Sequence, residues 1–414
     1  MARRLPRLRT NLEFMPSPVP DRPGLLIRDS FQYSDATLII PPLLVECLQY
    51  LDGEGTDLDL RQVLVGLTGD LRVGEIEKHL LSSLSQAGFL EDEVYLRLKT
   101  EKHRAFTESP LRQASHAGSA YPAEAGALAA RLAECMNHNA PVAEAENIIG
   151  IAAPHVSLEG GRDCYGAAYG ALRPEHGNRT FVILGTSHYG QPERFGLTRK
   201  PFVTPLGEAV TDVALVDELN ARAGAAAVME DYCHAVEHSI EFQVVFLQHL
   251  YGAGVRILPI LCGSFAHSIY EGGHPEDDDA VQSFLSALGE LAGREKRRLF
   301  WVLGVDMAHI GRRYGDPFAV HAMQGEMATI AESDRSRIER VLAGDARGFW
   351  AQVQAQQDNL HWCGASALYT FLKAVPGVKG ELLRYDQWNI DEQSTVSFSA
   401  IAFRGSQGSI PAPD

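Results

Sequence analysis

Apolar and polar positions are arranged differently in the first hundred residues and in the rest of the chain. After a proline-rich start (Pro6, Pro16, Pro18, Pro20, Pro23), two short apolar runs, at 24–28 and 37–40, predict strands. Helical periodicity follows. Pro41-Pro42 opens a helix through Leu43, Leu44, Cys47, Leu48 and Leu51, and Asp57-Leu-Asp-Leu suits the start of another carrying Leu60, Val63 and Leu67. A third, over 73–87, places Ile76, His79, Leu80, Leu84 and Ala87 on one stripe, and Gly88-Phe-Leu-Glu-Asp predicts a last strand. Strands, three short helices and a terminal β element describe a winged-helix-like domain over 1–100. Residues 99–119 lack apolar periodicity, so 101–116 reads as a linker.

Beyond it, strand-like runs at about 148–153, 180–185, 255–261 and 299–304 alternate with amphipathic stretches near 123–136, 162–172, 211–222, 239–251 and 279–292. Alternation of this kind predicts an α/β domain over 117–406, with a mixed sheet and helices on both faces. Two further apolar runs, 382–385 and 396–403, suggest added strands, and 407–414 reads as a tail.

Three of these runs break at histidines: Ile149-Gly-Ile-Ala-Ala-Pro-His155, Phe181-Val-Ile-Leu-Gly-Thr-Ser-His188 and Phe300-Trp-Val-Leu-Gly-Val-Asp306-Met-Ala-His309. Singly, each also fits a hydrogen-bonded strand end. Together they change the picture, because neighbouring strands of an open sheet end over one crevice and can bring three imidazoles together for metal binding or proton transfer. Asp306 and His309 lie three residues apart, so a helical turn there would project both to one side, with the carboxylate fixing the tautomer of a general base. His238 and Glu241, in Glu237-His-Ser-Ile-Glu241, have the same spacing at the expected start of a helix to Leu250, and form a candidate substrate-facing pair. Cys363 immediately precedes an apolar helix, whose field favours thiolate, whereas Cys47, Cys135 and Cys262 lie inside apolar elements and Cys164 in a small-residue helix.

Composition narrows the field. Over 414 residues the formal net charge is −16 and 45% of positions are hydrophobic, which supports sizeable cores and argues against an extended nucleic-acid or anionic-membrane surface. The one basic cluster, Arg3, Arg4, Arg7 and Arg9, reads as a solvated or weakly docking tail, and 272–279 as an acidic loop. No apolar run reaches a membrane span, no signal-peptide pattern follows the arginines, and the six cysteines lack CxxC spacing, so a cytoplasmic protein with free thiols is expected. GxSxG and GxxxxGK[ST] do not occur, which removes the usual serine-hydrolase and phosphate-loop readings.

Six segments in order, Ala117-Gly-Ser-Ala-Tyr-Pro122, Ala153-Pro-His155, Leu184-Gly-Thr-Ser-His188, Glu237-His-Ser-Ile-Glu241, Asp306-Met-Ala-His309 and Cys363-Gly364, resemble the Memo family, and within it the bacterial branch called AmmeMemoRadiSam system protein B. The resemblance covers about 115–404. It implies a fold like that of the class III non-haem extradiol dioxygenases, with His155, His188 and Cys363 as metal ligands, His309 as acid/base beside Asp306, and His238 in the same pocket. Non-haem iron is the first expected metal, then copper or zinc. A radical SAM protein and an AmmeMemoRadiSam system protein A are the implied partners, in a redox process. Cysteine stands where the dioxygenases have a carboxylate, so catechol cleavage does not carry over. His155-Val-Ser-Leu also departs from the small residue or Asp found in that branch. Residues 1–100 resemble the PqqD-like peptide-docking modules. Two readings from other classes stay open: a peptide- or phosphopeptide-binding module using the same pocket, and a metal-assisted hydrolase. The lack of an arginine cluster among the pocket motifs counts mildly against phosphate capture.

Overall fold

The computed structural model describes residues 2–136 and 147–405, in two units divided between Ser109 and Pro110. The expected tail at 407–414 lies outside the described residues.

The first unit is an antiparallel sheet, β1 (Leu12–Pro16), β2 (Leu25–Asp29) and β3 (Thr37–Ile40), followed by helices. The helix Asp57–Thr68 begins at a capping box, Thr56 accepting from the Asp59 amide while the Asp59 carboxylate accepts from Thr56, and ends at Gly69 in the left-handed region. With Gly74–Gln86 it buries Leu60, Leu64, Leu80 and Leu84 against Ile27 and Phe89. Three expectations change here. Residues 88–92 supply one bridge, Leu8 to Leu90, and no wing strand, because Asp92 caps a 16-residue helix, Glu93–Glu108, by accepting from the amides of Val94 and Tyr95. That helix takes up 101–108 of the expected linker. The arginine cluster is no tail either. Arg9 is 2% exposed, pairs with both oxygens of Asp29 at 2.8 and 2.9 Å and lies over the Tyr95 ring, while Arg7 donates to the Asp52 carbonyl and Arg4 pairs with Glu54.

The second unit is built on an 11-stranded mixed sheet. Four parallel strands form its centre, in the order β4 (Ile148–Ala153), β11 (Leu299–Gly304), β5 (Thr180–Thr186), β10 (Arg256–Cys262). They are almost wholly apolar and buried, as strands covered on both faces must be. Short strands β6 (Phe195–Leu197), β7 (Phe202–Thr204), β8 (Gly207–Thr211) and β9 (Ala227–Met229) extend the β10 side. On the other side β14 (Ser394–Arg404) runs antiparallel to β4 and pairs with β12 (His309–Gly311) and β13 (Lys379–Asp391). Two apolar clusters cover the sheet, one including Phe284, Leu288, Trp350 and Phe371, the other Leu128, Tyr165, Tyr169 and Phe246. Among the described residues no helix is long and apolar enough to cross a membrane.

Candidate metal centre

β4, β5 and β11 run the same way, so their carboxyl ends deliver His155, His188 and Asp306 to one crevice. What lies across those ends is the segment 237–240, and two glycines let it come close. Gly185 and Gly304 are register partners; a Cβ on the first would meet Ser239 Oγ at 2.5 Å, and one on the second the Ser239 carbonyl at 2.2 Å. Ser239 Oγ donates to the Thr186 carbonyl at the end of β5 (2.8 Å), and Gln243 Nε2 donates both to the Ser239 carbonyl (3.2 Å) and to the Pro154 carbonyl just past β4 (2.9 Å), tying this segment to the ends of two strands.

His155, His188 and His238 converge, with one ring nitrogen from each within 4.8 Å of the others and ring centroids 5.0–5.1 Å apart. His155 is 2% exposed, whereas the side chains of His188 and His238 are about a quarter exposed and form the open side. A carbonyl only accepts, so the 3.0 Å contact of His155 Nδ1 with Gly304 O puts the proton on Nδ1 and turns Nε2 toward the crevice. His188 has the same arrangement, its Nδ1 lying 3.0 and 3.1 Å from the Glu237 oxygens. Glu237 also accepts from the amides of His188, His238 and Ser239 and stands 3.2 Å from His238 Nδ1. Burial alone would raise its carboxyl, yet His188 and His238 hold it well below the usual range.

Cys363 comes from far along the chain, just before the helix Ala365–Ala374. Its Sγ is 3.3 Å from His155 Nε2, and its carbonyl accepts from Thr186 Oγ1 at 3.0 Å. Gly364 is required beside it, since a Cβ there would meet Val305 Cβ at 2.6 Å and the Asp306 carbonyl at 2.7 Å. Burial opposes the thiolate, but His155 and His309 outweigh it and bring the thiol down to about 5. Burial likewise opposes protonation of His155, and Asp306 and Cys363 carry that imidazole up to about 9. The pair is thus a thiolate and an imidazolium, and a metal cation would take the place of the proton between them. His238 goes the other way: burial lowers it to about 4, in spite of Glu237, and keeps it neutral.

Several expected residues are placed differently. The Asp306–His309 pair does not form, because the chain there is extended and His309 opens β12. Asp306 Oδ1 accepts from the His155 amide (2.9 Å) and Oδ2 lies 3.6 Å from His155 Nε2, while His309 Nδ1 donates to the carbonyls of Met307 (2.9 Å) and His361 (3.2 Å). His238 and Glu241 do not share a helix face, since the helix starts at Glu241 itself. His238 joins the imidazole cluster. Glu241, fully buried, is taken up by Arg112, Tyr121, the Ser115 amide and hydroxyl and the His116 amide, so its oxygens are committed to the segment that includes the rest of the expected linker. Burial alone would raise the Glu241 carboxyl; Arg112 above all holds it at about 2. Glu237 is the functional residue the helical spacing argument passed over. A carboxylate immediately before a candidate ligand histidine was the available signal, because ligand imidazoles commonly donate their second N–H to such a group.

A family model described as "Memo-like protein" matches residues 112–402. Among curated proteins, the chain is similar to a "MEMO1 family protein" of Aquifex aeolicus, 27% identical over 382 residues, covering 91% of this chain and 95% of that protein. It is also similar to "MEMO1 family" proteins of Thermococcus kodakarensis (28% identical, 71% of this chain and 99% of that protein) and Methanosarcina barkeri (26%, 70% and 99%). The 91% share in the Aquifex alignment exceeds what the second unit alone can supply.

Proposed function

The chain belongs to the Memo-like protein family, and on that premise we propose that it is a metal-dependent redox protein whose centre is held by His155, His188 and Cys363. The observation that carries this reading is the set of donor atoms left available at the strand ends. Each imidazole has its Nδ1–H committed, His155 to Gly304 O and His188 to Glu237, which turns Nε2 toward the crevice, and Cys363 Sγ lies against Nε2 of His155. Two imidazoles and a thiolate suit iron, copper or zinc, with non-haem iron the leading assignment. Held by these residues, such an ion would supply Lewis acidity and electron transfer.

The protein's own groups have separate tasks. Glu237 holds His188 and supports His238, and Asp306 fixes the His155 backbone and keeps a carboxylate beside its ring. His309, with Nδ1–H held by two carbonyls, has Nε2 available to accept or return a proton. The branch resemblance adds the radical SAM protein and AmmeMemoRadiSam system protein A as partners. Metal-assisted hydrolysis is the second reading, favoured by one observation: His155, His188 and His238 also form an all-imidazole set of the kind zinc accepts.

Elemental analysis of anaerobically purified protein tests both, alongside His155→Ala and Cys363→Ser. Near-stoichiometric iron or copper that falls in both variants supports the redox centre. Zinc that survives Cys363→Ser and is lost in His155→Ala supports the hydrolytic one. Protein without metal, before and after reconstitution, overturns both.

A further inference from the structure

Cys363 is carried by a loop under conformational load. Gln357, Asp358 and His361 all adopt left-handed φ, between 50° and 52°, without being glycine. Such residues persist only where their surroundings over-determine them. Here the restraint comes from one face of the helix Glu326–Leu342, where Asp334 and Arg337 lie three residues apart. Arg337 pairs with Asp358 at 2.7 Å and lies over the Trp362 ring.

Asp334 is fully buried, and its carboxylate accepts three short hydrogen bonds: from Trp362 Nε1 (2.6 Å), Ser397 Oγ (2.6 Å) and Tyr385 OH (2.7 Å). Two of these reach the crevice by different routes. Trp362 is the residue before Cys363. Ser397 Oγ accepts from the Ala308 amide at 2.9 Å, its own amide donates to Ala308 O, and its carbonyl accepts from Met307, so it holds the extended stretch that presents His309. The two walls also hold each other, His309 N donating to Leu360 O and His361 Nδ1 to His309 O.

We infer that Asp334 is a positioning residue for the metal centre: from behind the crevice, through Trp362 and Ser397, one buried carboxylate sets the thiolate of Cys363 and the imidazole of His309 against each other. This rests on the metal-centre reading, and it adds a group that touches neither ligand. An acceptor is needed here because the indole N–H can only donate, and the carboxylate also takes both hydroxyls as they are turned. Asparagine, of the same shape, can still accept from Trp362 while the hydroxyls reverse; alanine cannot.

The test compares Asp334→Ala and Asp334→Asn with the full-length wild type in two measurements. The first is the sulfur-to-metal charge-transfer band of cobalt(II)-loaded protein, which reports Cys363 ligation. Asp334→Ala is expected to lose more than half of it while still binding cobalt, and Asp334→Asn to keep it. The second, on metal-free protein, is hydrogen exchange, with 357–363 expected to exchange at least tenfold faster in Asp334→Ala and β5 and β11 unchanged. Should Asp334→Ala fail to fold, single spokes replace it: Trp362→Phe is expected to loosen 357–363 and weaken the band, and Ser397→Ala to speed exchange at 307–309 while leaving the band in place. Wild-type band and exchange in Asp334→Ala, or in Trp362→Phe where that variant stands in, overturn the proposal. Absence of the band in wild-type protein overturns Cys363 ligation, and the exchange measurement then decides the role of Asp334 by itself.

Discussion

Glu237 and Glu241 lie four residues apart and are equally buried, yet they serve the two sides of one segment in opposite ways. On the crevice side, Glu237 faces imidazoles that keep a second nitrogen for something else. On the far side, Glu241 faces a guanidinium, a phenol and backbone amides, and everything it touches is saturated. A buried carboxylate is therefore not in itself a sign of function. What distinguishes them is whether the partners have valence left over.

The largest effect should come from the saturated side. Glu241→Ala leaves Arg112 buried and unpaired and is expected to cost about 3–5 kcal/mol in urea unfolding, with metal content per folded molecule unchanged. Its pH dependence follows from the same pair. The folded carboxyl lies at about 2, so its contribution is complete above the unfolded value of about 4.3 and is lost as pH falls between the two. Acid unfolding of the wild type should show that loss, and Glu241→Gln should not. On the crevice side, Glu237→Gln is expected to weaken metal binding by about 10–100-fold in competition with a chelator, with a smaller change in unfolding. If Glu237→Gln instead unfolds the protein and binds metal normally, the two sides are not distinct. The smallest effect belongs to the first unit. Thr56→Ala removes the capping box at the Asp57–Thr68 helix and should cost about 1 kcal/mol there, without altering metal content.

The strands were legible in the sequence as apolar runs, three of which break at histidines, and the expected runs at 148–153, 180–185, 255–261 and 299–304 are β4, β5, β10 and β11 to within a residue. The structure brings His155, His188 and Cys363 to one crevice. The partner of each histidine was not legible, because it depends on clearance rather than on spacing. Asp306 belongs to His155 and not His309 since the chain stays extended after β11, and Glu237 reaches His188 only because Gly185 and Gly304 let its segment lie across the strand ends. The helix Glu93–Glu108 escaped notice for a different reason: it buries a single residue, Phe106, so it carries almost no apolar period and depends on the Asp92 cap.

The strand order sets a timetable for this centre. β4 and β5 are consecutive in the chain's central set but are separated in the sheet by β11, which is made last of the four, and Cys363 follows His155 by 208 residues. At a synthesis rate of about 5–20 residues per second, the imidazoles precede the sulfur by about 10–40 s on the ribosome. Until then the nascent chain carries the two histidines without the thiol that joins them in the finished fold. The crevice is therefore complete only once the chain has been made past Cys363, and contacts of such long sequence separation make its assembly a late event in folding; on the metal-centre reading proposed above, selection of an ion by its affinity for sulfur would wait for that event.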